Sequence, residues 1–332
     1  LTSSAASDVY KRQNLCGVKS KGGITVINNY ISQNKSNTLY VLYDNSDLDK
    51  YIKNFDSKFI DTKRIYHLFL NFFLDKQTLE KINSYDYIIH FGNFGFKTTI
   101  KSYTLIQNIL PLVKPLSSLR NFALNLAYKY TFKITDEIIV QQKHVADTIP
   151  NQYKTKIIGS FEIKKIKQSE NIGFVTIYEE IKNKNPKFQK ELLREIASKF
   201  DEKITVINLS TNNEIYENNF NVLEDLDRNE LMQVFKSHST YIHTSEFETV
   251  GLPIYEALEL GLKVVVPNLE YINLENENIF KYEFGNYSSA INAIDESIKN
   301  LEKVYCDVPI YYENWNLGSV SYTHLRAHET FR

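Results

Sequence analysis

Two glutamates, Glu248 and Glu256, stand with seven residues between them in the stretch HTSEFETVGLPIYEALELGLKVVVPN, residues 243–268. A T-V-G-L-P turn separates them, and a strand-like run follows. TYIHT (240–244) reads as a buried strand, and a helix is expected to start near Val250 to Leu252 with Pro253 in its first turn. A proline is tolerated there because the first amides of a helix have no intrahelical partner. Those free N–H groups of Gly251 and its neighbours, with the positive end of the helix dipole behind them, would hold a phosphate with about 1–2 kcal/mol. Gly251 lets the backbone approach such a ligand closely. Glu256, more than one turn into the helix, is then in reach of a ribose diol, while Glu248 lies at the other end, near the group that the diphosphate carries. This order of groups suits a nucleotide sugar. The plainer reading makes Glu256 and Glu259 solvated helix residues, and spacing alone leaves both open.

A loop and helix of this kind need a parallel sheet to hold them. Apolar runs of strand length alternate with amphipathic helical segments, the pattern of parallel sheets covered by helices. In the first half, strands are expected near 38–43, 86–90, 102–107 and 136–140, and helices near 23–34, 68–84, 117–131 and 142–149. A second alternation begins at 171–176 and runs through helices near 187–200, 227–237, 250–260 and 287–303, with strands near 203–209, 219–223, 240–244 and 263–267. KKIKQSEN (164–171) is polar and without periodicity, so it reads as the linker. The expected organisation is α/β: a Rossmann-like domain over 14–163 and a second over 164–305, facing one another across a cleft. Ligands of open parallel sheets bind outside the carboxyl ends of the strands.

The run S-E-F-E-T-V-G-L-P-I-Y-E-A-L-E-L-G-L-K-V-V-V resembles the signature S-x-x-E-x-x-G-x-P-x-x-E-A-x-x-x-G-x-P-V-V of the retaining glycosyltransferases of family 4, which have the GT-B fold. Lys263 stands where that family usually has proline. KGGITVINNYI (21–31) resembles the family's N-terminal glycine loop and first helix, which would place Gly22 and Gly23 at the donor diphosphate. IIHFGNFG (88–95) and YTLIQNILPL (103–112) resemble a branch that builds bacterial surface polysaccharides. FVTIYEEIKN (174–183) resembles the strand and loop ending in the diphosphate-binding lysine.

The resemblance implies Glu248, Lys182 and His90 as catalytic residues, and donor contacts from Glu256, Gly251, Thr249, Leu252, Gly22, Gly23 and Lys184. Acceptor contacts fall to Asn93, Gln107 and Asn108. Lys184 is the alternative counterpart of Lys182. Many members carry an arginine about five positions before the lysine, where this chain has Ile177; losing one hydrogen bond to a charged group weakens stabilisation by about 1.5–3 kcal/mol. The implied reaction is metal-independent transfer, with retention, from a UDP- or GDP-linked sugar to a saccharide acceptor, with no further cofactor. Its setting would be lipopolysaccharide O-antigen or capsule assembly. Rival readings are a nucleotide-sugar 2-epimerase of the same fold and an impaired relative that binds nucleotide or glycan without turnover. His90 read alone is a satisfied strand-end histidine, and Asn93, Gln107 and Asn108 read alone tie loops, as asparagine commonly does.

Composition bounds the rest. The chain has 332 residues, 42% hydrophobic and 24% charged, with a formal net charge of −1, so no nucleic acid or other polyanion partner is implied globally. Cys16 and Cys306 make no disulfide framework, which favours a reducing, cytoplasmic compartment. No run of about 18 apolar residues predicts a membrane span. From 87 to 135 there is no Asp or Glu, while Lys97, Lys101, Lys114, Arg120, Lys129 and Lys133 interleave with Phe, Tyr and Leu. Such a segment suits peripheral contact with an anionic membrane and a lipid-linked acceptor. The ends, 1–13 and 319–332, resemble sequencing-linker read-through and are set aside, with the pair His324 and His328. Residues 306–318 are then expected to begin a truncated crossover to the first domain at Trp315.

Overall fold

The computed structural model describes residues 11–15, 18, 21–34, 39–43, 57–61, 74–113, 119–210, 219–272, 274–299 and 304–317. The first domain runs β1 (Lys11–Asn14), α1 (Lys21–Gln33), β2 (Leu39–Tyr43), β3 (Ser57–Asp61), α2 (Lys76–Asn83), β4 (Tyr87–His90) and β5 (Lys101–Ile106). It continues through α3 (Leu110–Val113), α4 (Leu119–Ile134), β6 (Glu137–Val140), α5 (Lys143–Ala146) and β7 (Thr155–Ile157). The strands form one parallel sheet in the order β3-β2-β1-β4-β5-β6-β7. The second domain holds β9 (Phe174–Tyr178), α6 (Pro186–Lys199), β10 (Ile204–Asn208), β11 (Phe220–Glu224), α7 (Arg228–Lys236) and β12 (Thr240–Ile242). α8 (Leu252–Glu259), β13 (Lys263–Pro267), β14 (Ile279–Tyr282) and α9 (Tyr287–Lys299) complete it. Its parallel order is β11-β10-β9-β12-β13-β14.

Both sheets reverse direction beside their first strand, between β1 and β4 and between β9 and β12. Loops leaving neighbouring strands at such a point diverge to opposite faces and leave a crevice. β9, β12 and β13 are buried on both faces, and their Val, Ile and Phe side chains pack against α6, α8 and α9. That burial holds the strand ends rigid where the site is built.

Three features depart from the sequence reading. Lys11–Gln13, set aside as an appended end, lie in β1 at the middle of the first sheet, where Gln13 donates to the Tyr30 hydroxyl at 3.0 Å. Residues 164–167 of the expected linker belong to β8 (Gly159–Lys167), which pairs antiparallel with β15 (Tyr305–Glu313) over its whole length. The segment 306–318 is therefore a strand as far as Glu313, and it returns the chain to the first domain. The Trp315 ring sits 5.2 Å from Tyr30 and 5.5 Å from Phe91, in the first domain's core. Smaller differences are α4, which ends at Ile134 where 131 was expected, and α2, which starts at Lys76 behind its N-cap Asp75, with 68–73 and 117–118 of the expected helices outside the described residues. Cys16, Lys114, His324 and His328 lie outside the described residues, and Cys306 is a buried free thiol.

Candidate active site

The loop between β12 and α8 carries the two glutamates. Gly251 caps α8 in the left-handed region at φ 73°, with Pro253 at the start of the helix. Any side chain there is strained, and an added β-carbon would lie 3.0 Å from Ile254 Cδ1 and 3.8 Å from Glu248 Cβ. This turn brings Glu248 back beside the helix start. Glu256 follows one turn into α8.

The second element is the turn after β9. Lys182–Lys184 forms a short 3-10 turn, and Asn185, at φ 57°, redirects the chain into α6. Three hydrogen bonds lash this turn to the β12–α8 loop. Glu246 N donates to Asn183 O at 2.7 Å, Asn183 Nδ2 to Phe247 O at 3.3 Å, and Thr244 Oγ1 to Lys184 O at 3.0 Å. Lys184 Nζ consequently meets Glu248 Oε1 at 2.6 Å, with the two side chains 29% and 15% exposed. Lys182, first in the same turn, is exposed. The cation beside Glu248 is thus Lys184.

Burial would raise the Glu248 carboxyl, but the Lys184 ammonium and, less, His243 overcome it and hold it below its ordinary value. His243, at the end of β12, was in view in the sequence but had no role assigned there. It is 5% exposed; Nδ1 is 3.0 Å from the Tyr241 hydroxyl, while Nε2 lies 3.7 Å from Glu248 Oε1 without a hydrogen-bond partner. Burial drives its pKa down to about 4. Glu179, Lys184, His243, Ser245 and Pro253 enclose a cavity of about 30 Å³, room for about one water.

Counting back five positions from Lys184, not from Lys182, reaches Glu179 instead of Ile177. Its carboxyl is pushed up, by burial first and by the Glu248 charge, against the attraction of Lys184. An acid therefore stands where the family resemblance leads one to look for an arginine.

On the far side of α8, Arg228 Nη2 pairs with Glu256 at 2.7 Å, and Arg228 Nη1 reaches Thr25 Oγ1 of α1 at 3.5 Å. Arg228 was not singled out from sequence, though the capping box of Asp227 and Glu230 marks its place at the start of α7. Gly22 and Gly23 do not form a loop; they lie in the first turn of α1, Gly22 exposed and Gly23 buried. Leu252 opens α8 and is half-buried.

The first domain closes against this loop. Thr249 Oγ1 donates to Gln107 O at 3.3 Å, His144 Nε2 is 2.9 Å from Glu248 O, and Gln142 Nε2 donates to Val250 O at 3.4 Å. Asn93, at φ 69°, accepts from Gln107 N at 2.6 Å and Asn108 N at 3.0 Å, so it sets the shape of the strand-end loops. Asn108 caps Leu110 N at 3.1 Å, a local role as well.

His90 does not reach an open surface. It is fully buried beneath Gly95 and against Phe96, at 4.8 Å between ring centroids, and burial lowers its pKa to about 3. Its Nδ1 lies 2.9 Å from Asn14 Nδ2, which can only donate, so the proton is on Nε2. Lys263, the departure from the signature's proline, is also buried; its ammonium donates to Ser297 O at 2.7 Å, near the carbonyl end of α9, where a cation is favoured.

Residues 174–304 match the family model described as Glycosyl transferases group 1. No curated protein matches the chain. Among solved structures, Alr3699/HepE of Anabaena, in complex with UDP-glucose, aligns at 13% identity over 90% of this chain and 92% of that one, with a TM-score of 0.68. WaaG, a glycosyltransferase involved in lipopolysaccharide biosynthesis, aligns at 14% identity over 88% and 91%, with a TM-score of 0.62. A glycosyltransferase from Rickettsia africae aligns at 13% identity over 90% of each chain, with a TM-score of 0.61. Residues 174–304 are therefore similar to group 1 glycosyl transferases, and the chain has the GT-B fold of two Rossmann-like domains facing across a cleft.

Proposed function

We propose that the chain is a metal-independent, retaining glycosyltransferase. It would move a sugar from a nucleoside-diphosphate donor to a lipid-linked saccharide during cell-surface polysaccharide assembly, at the cytoplasmic side of a membrane. The observation that carries this reading is the convergence of Lys184, Glu248 and the start of α8 at one strand-end crevice, with Glu256 one turn further along. The donor diphosphate lies over the Gly251 end of α8 and its ribose reaches Glu256. A nucleotide-sugar ligand on a neighbour of this fold makes uridine the first base to test.

In this mechanism the bond from the anomeric carbon to the diphosphate breaks through an oxocarbenium-like state, and the acceptor oxygen bonds on the same face. The departing phosphate takes the acceptor's proton. Charge grows on the diphosphate, so Lys184 and the α8 amides act where transition state and ground state differ. Lys184 then serves two anions. As the diphosphate arrives its ammonium turns from Glu248, whose carboxylate becomes available to the sugar. Closure of the two domains excludes water.

A second reading, nucleotide binding without turnover, is favoured by Glu179 beside Lys184, since that acid opposes an incoming diphosphate. One experiment addresses both. Thermal shift with a nucleotide panel should raise the melting temperature with UDP or GDP, and Glu256→Ala should abolish the rise. Release of nucleotide from a sugar donor only when a saccharide acceptor is present supports transfer. Release without acceptor supports the 2-epimerase. Binding with no release supports the non-catalytic reading, and a shift unaffected by Glu256→Ala overturns the site.

A further inference from the structure

His243 keeps a buried donor unspent. Its main chain is pinned at the end of β12, where the amide donates to Val265 O at 2.9 Å and the carbonyl accepts from the Tyr282 hydroxyl at 2.9 Å. Its ring stands between Tyr241 and Tyr271, at 5.8 and 6.1 Å between centroids, so the imidazole has little freedom to turn. Nδ1 lies 3.0 Å from the Tyr241 hydroxyl, and Nε2, which has no hydrogen-bond partner, faces Glu248 Oε1 from 3.7 Å. Electrostatics sets the tautomer. A proton on Nδ1 would turn an Nε2 lone pair on the Glu248 carboxylate and leave the buried Tyr241 hydroxyl no acceptor among the described residues. The tyrosine therefore donates to Nδ1, and Nε2 holds the ring's proton. The ring is neutral, because burial holds its pKa at about 4 against the pull of Glu248.

Lys184 and His243 bear on the same oxygen, Glu248 Oε1, the ammonium at 2.6 Å and the imidazole at 3.7 Å. An N–H···O bond closes near 2.9 Å, so a displacement of the carboxylate by about 0.8 Å towards the ring completes it. While Lys184 holds the oxygen, nothing drives that step. A diphosphate that draws Lys184 away leaves the carboxylate without its cation, and a buried anion stripped of its partner is costly. Ser245 already bonds this carboxyl, so the new bond must come from the donor still free, Nε2–H of His243. The cavity of about 30 Å³ beside His243, Lys184 and Ser245 gives these side chains room to shift.

We propose that His243 is a positioning residue, which takes over Glu248 when the donor diphosphate draws Lys184 off. The exchange keeps Glu248 ionised and ties Oε1 to the strand end, leaving Oε2 for the donor sugar. The part played by the diphosphate rests on the transferase reading. The handover from Lys184 to His243 does not, because any loss of the ammonium should produce it.

The test is long-range proton–nitrogen correlation NMR of the full chain with isotope-labelled histidines, at about pH 8, where an ordinary histidine is neutral. His243→Gln assigns the signal by removing it. The free protein should show His243 as the Nε2–H tautomer. Saturating UDP, or GDP where only that nucleotide raises the melting temperature, should move the Nε2–H proton downfield. Lys184→Ala should move it the same way with no nucleotide present. Titration calorimetry reads the energetic side. Glutamine sets an amide nitrogen near the place of Nε2 and asparagine near that of Nδ1, so His243→Asn should weaken nucleotide binding about tenfold while His243→Gln stays within about twofold of the parent. In Lys184→Ala there is no ammonium to give up, so adding His243→Asn should cost no further affinity, whereas a merely structural histidine would give losses that add. An Nδ1–H tautomer, or an Nε2–H proton that Lys184→Ala leaves in place, overturns the proposal. A proton that moves in Lys184→Ala but not with bound nucleotide overturns the donor's part while the transferase reading stands. If neither nucleotide binds the parent, that reading fails and the donor's part with it, and the Lys184→Ala spectrum still decides the handover.

Discussion

Replacing Lys184 and Lys182 by alanine, one at a time, distinguishes two lysines that the sequence places two residues apart. Lys184 is held 2.6 Å from Glu248 Oε1. Removing one partner of a buried ion pair costs about 3–5 kcal/mol, and partial exposure lowers this, so Lys184→Ala should destabilise by about 1–3 kcal/mol. Lys182 is exposed, and its replacement should stay within about 0.5 kcal/mol. Ligand binding separates them further. A hydrogen bond to a charged phosphate contributes about 1.5–3 kcal/mol, or about 10- to 150-fold in Kd. Lys184 gives up part of its contact with Glu248 to make that bond, so the lower end, about tenfold, is expected for UDP. Titration calorimetry with UDP and with uridine reads the effect, which should be confined to the diphosphate. An equal or greater loss of UDP affinity in Lys182→Ala than in Lys184→Ala would refute the reasoning.

Two further outcomes follow from buried groups. His90 and His243 have pKa values of about 3 and about 4 in the fold, below the ordinary 6.5. The unfolded chain therefore binds protons that the native state refuses. Their contribution is whole above pH 6.5 and drains as pH falls towards those values. Each removes about 1.4 kcal/mol per pH unit in that window, while the raised carboxyl of Glu179 works in the opposite sense at higher pH. Urea midpoints measured across pH should be less steep in His90→Asn than in the parent, and parallel curves would sink the point. Gly159 marks the junction of β7 and β8. A β-carbon there would lie 1.8 Å from Gln141 O and 2.9 Å from the Tyr311 ring. Because the obstacle is a backbone carbonyl, Gly159→Ala should destabilise by about 3 kcal/mol. An unchanged urea midpoint would show that the ribbon shifts freely.

The residues around Glu248 explain why part of the site was legible in the sequence and part was not. Gly251, Pro253 and Glu256 are positioned by one turn and the helix it starts, so their geometry follows from local rules of capping and helical rise. Alternating apolar runs likewise marked β9, β12 and β13, whose side chains are buried on both faces. Lys184 depends on contacts between two loops 60 residues apart, and on a left-handed Asn185 that ends the 3-10 turn one residue after it. No spacing rule within one segment reports that. β1 and β8 escaped for a different reason. KRQN and the second half of GSFEIKKIK lack apolar alternation; they are strands because neighbours supply main-chain partners. The pairing of β8 with β15 joins positions some 140 residues apart. Sequence patterning records which side chains a fold buries, and it is silent where the backbone alone is paired.

The same distinction bears on the chemistry. Glu179 and His243 were passed over because each, taken singly, is an ordinary residue at a strand end. Together with Glu248 they surround one ammonium. With His243 neutral and both carboxylates ionised, this group of four carries a net charge of −1 before any donor enters. A diphosphate adds more negative charge to the same space, so Lys184 alone cannot balance it. The α8 amides must carry much of the anion's charge, or Glu179 must take up a proton as the donor binds. The burial that already raises the Glu179 carboxyl makes proton uptake the less costly route. Proton uptake by Glu179 would show as a donor affinity that strengthens as pH falls and loses this dependence in Glu179→Gln, and a parent affinity independent of pH would leave the charge to the α8 amides.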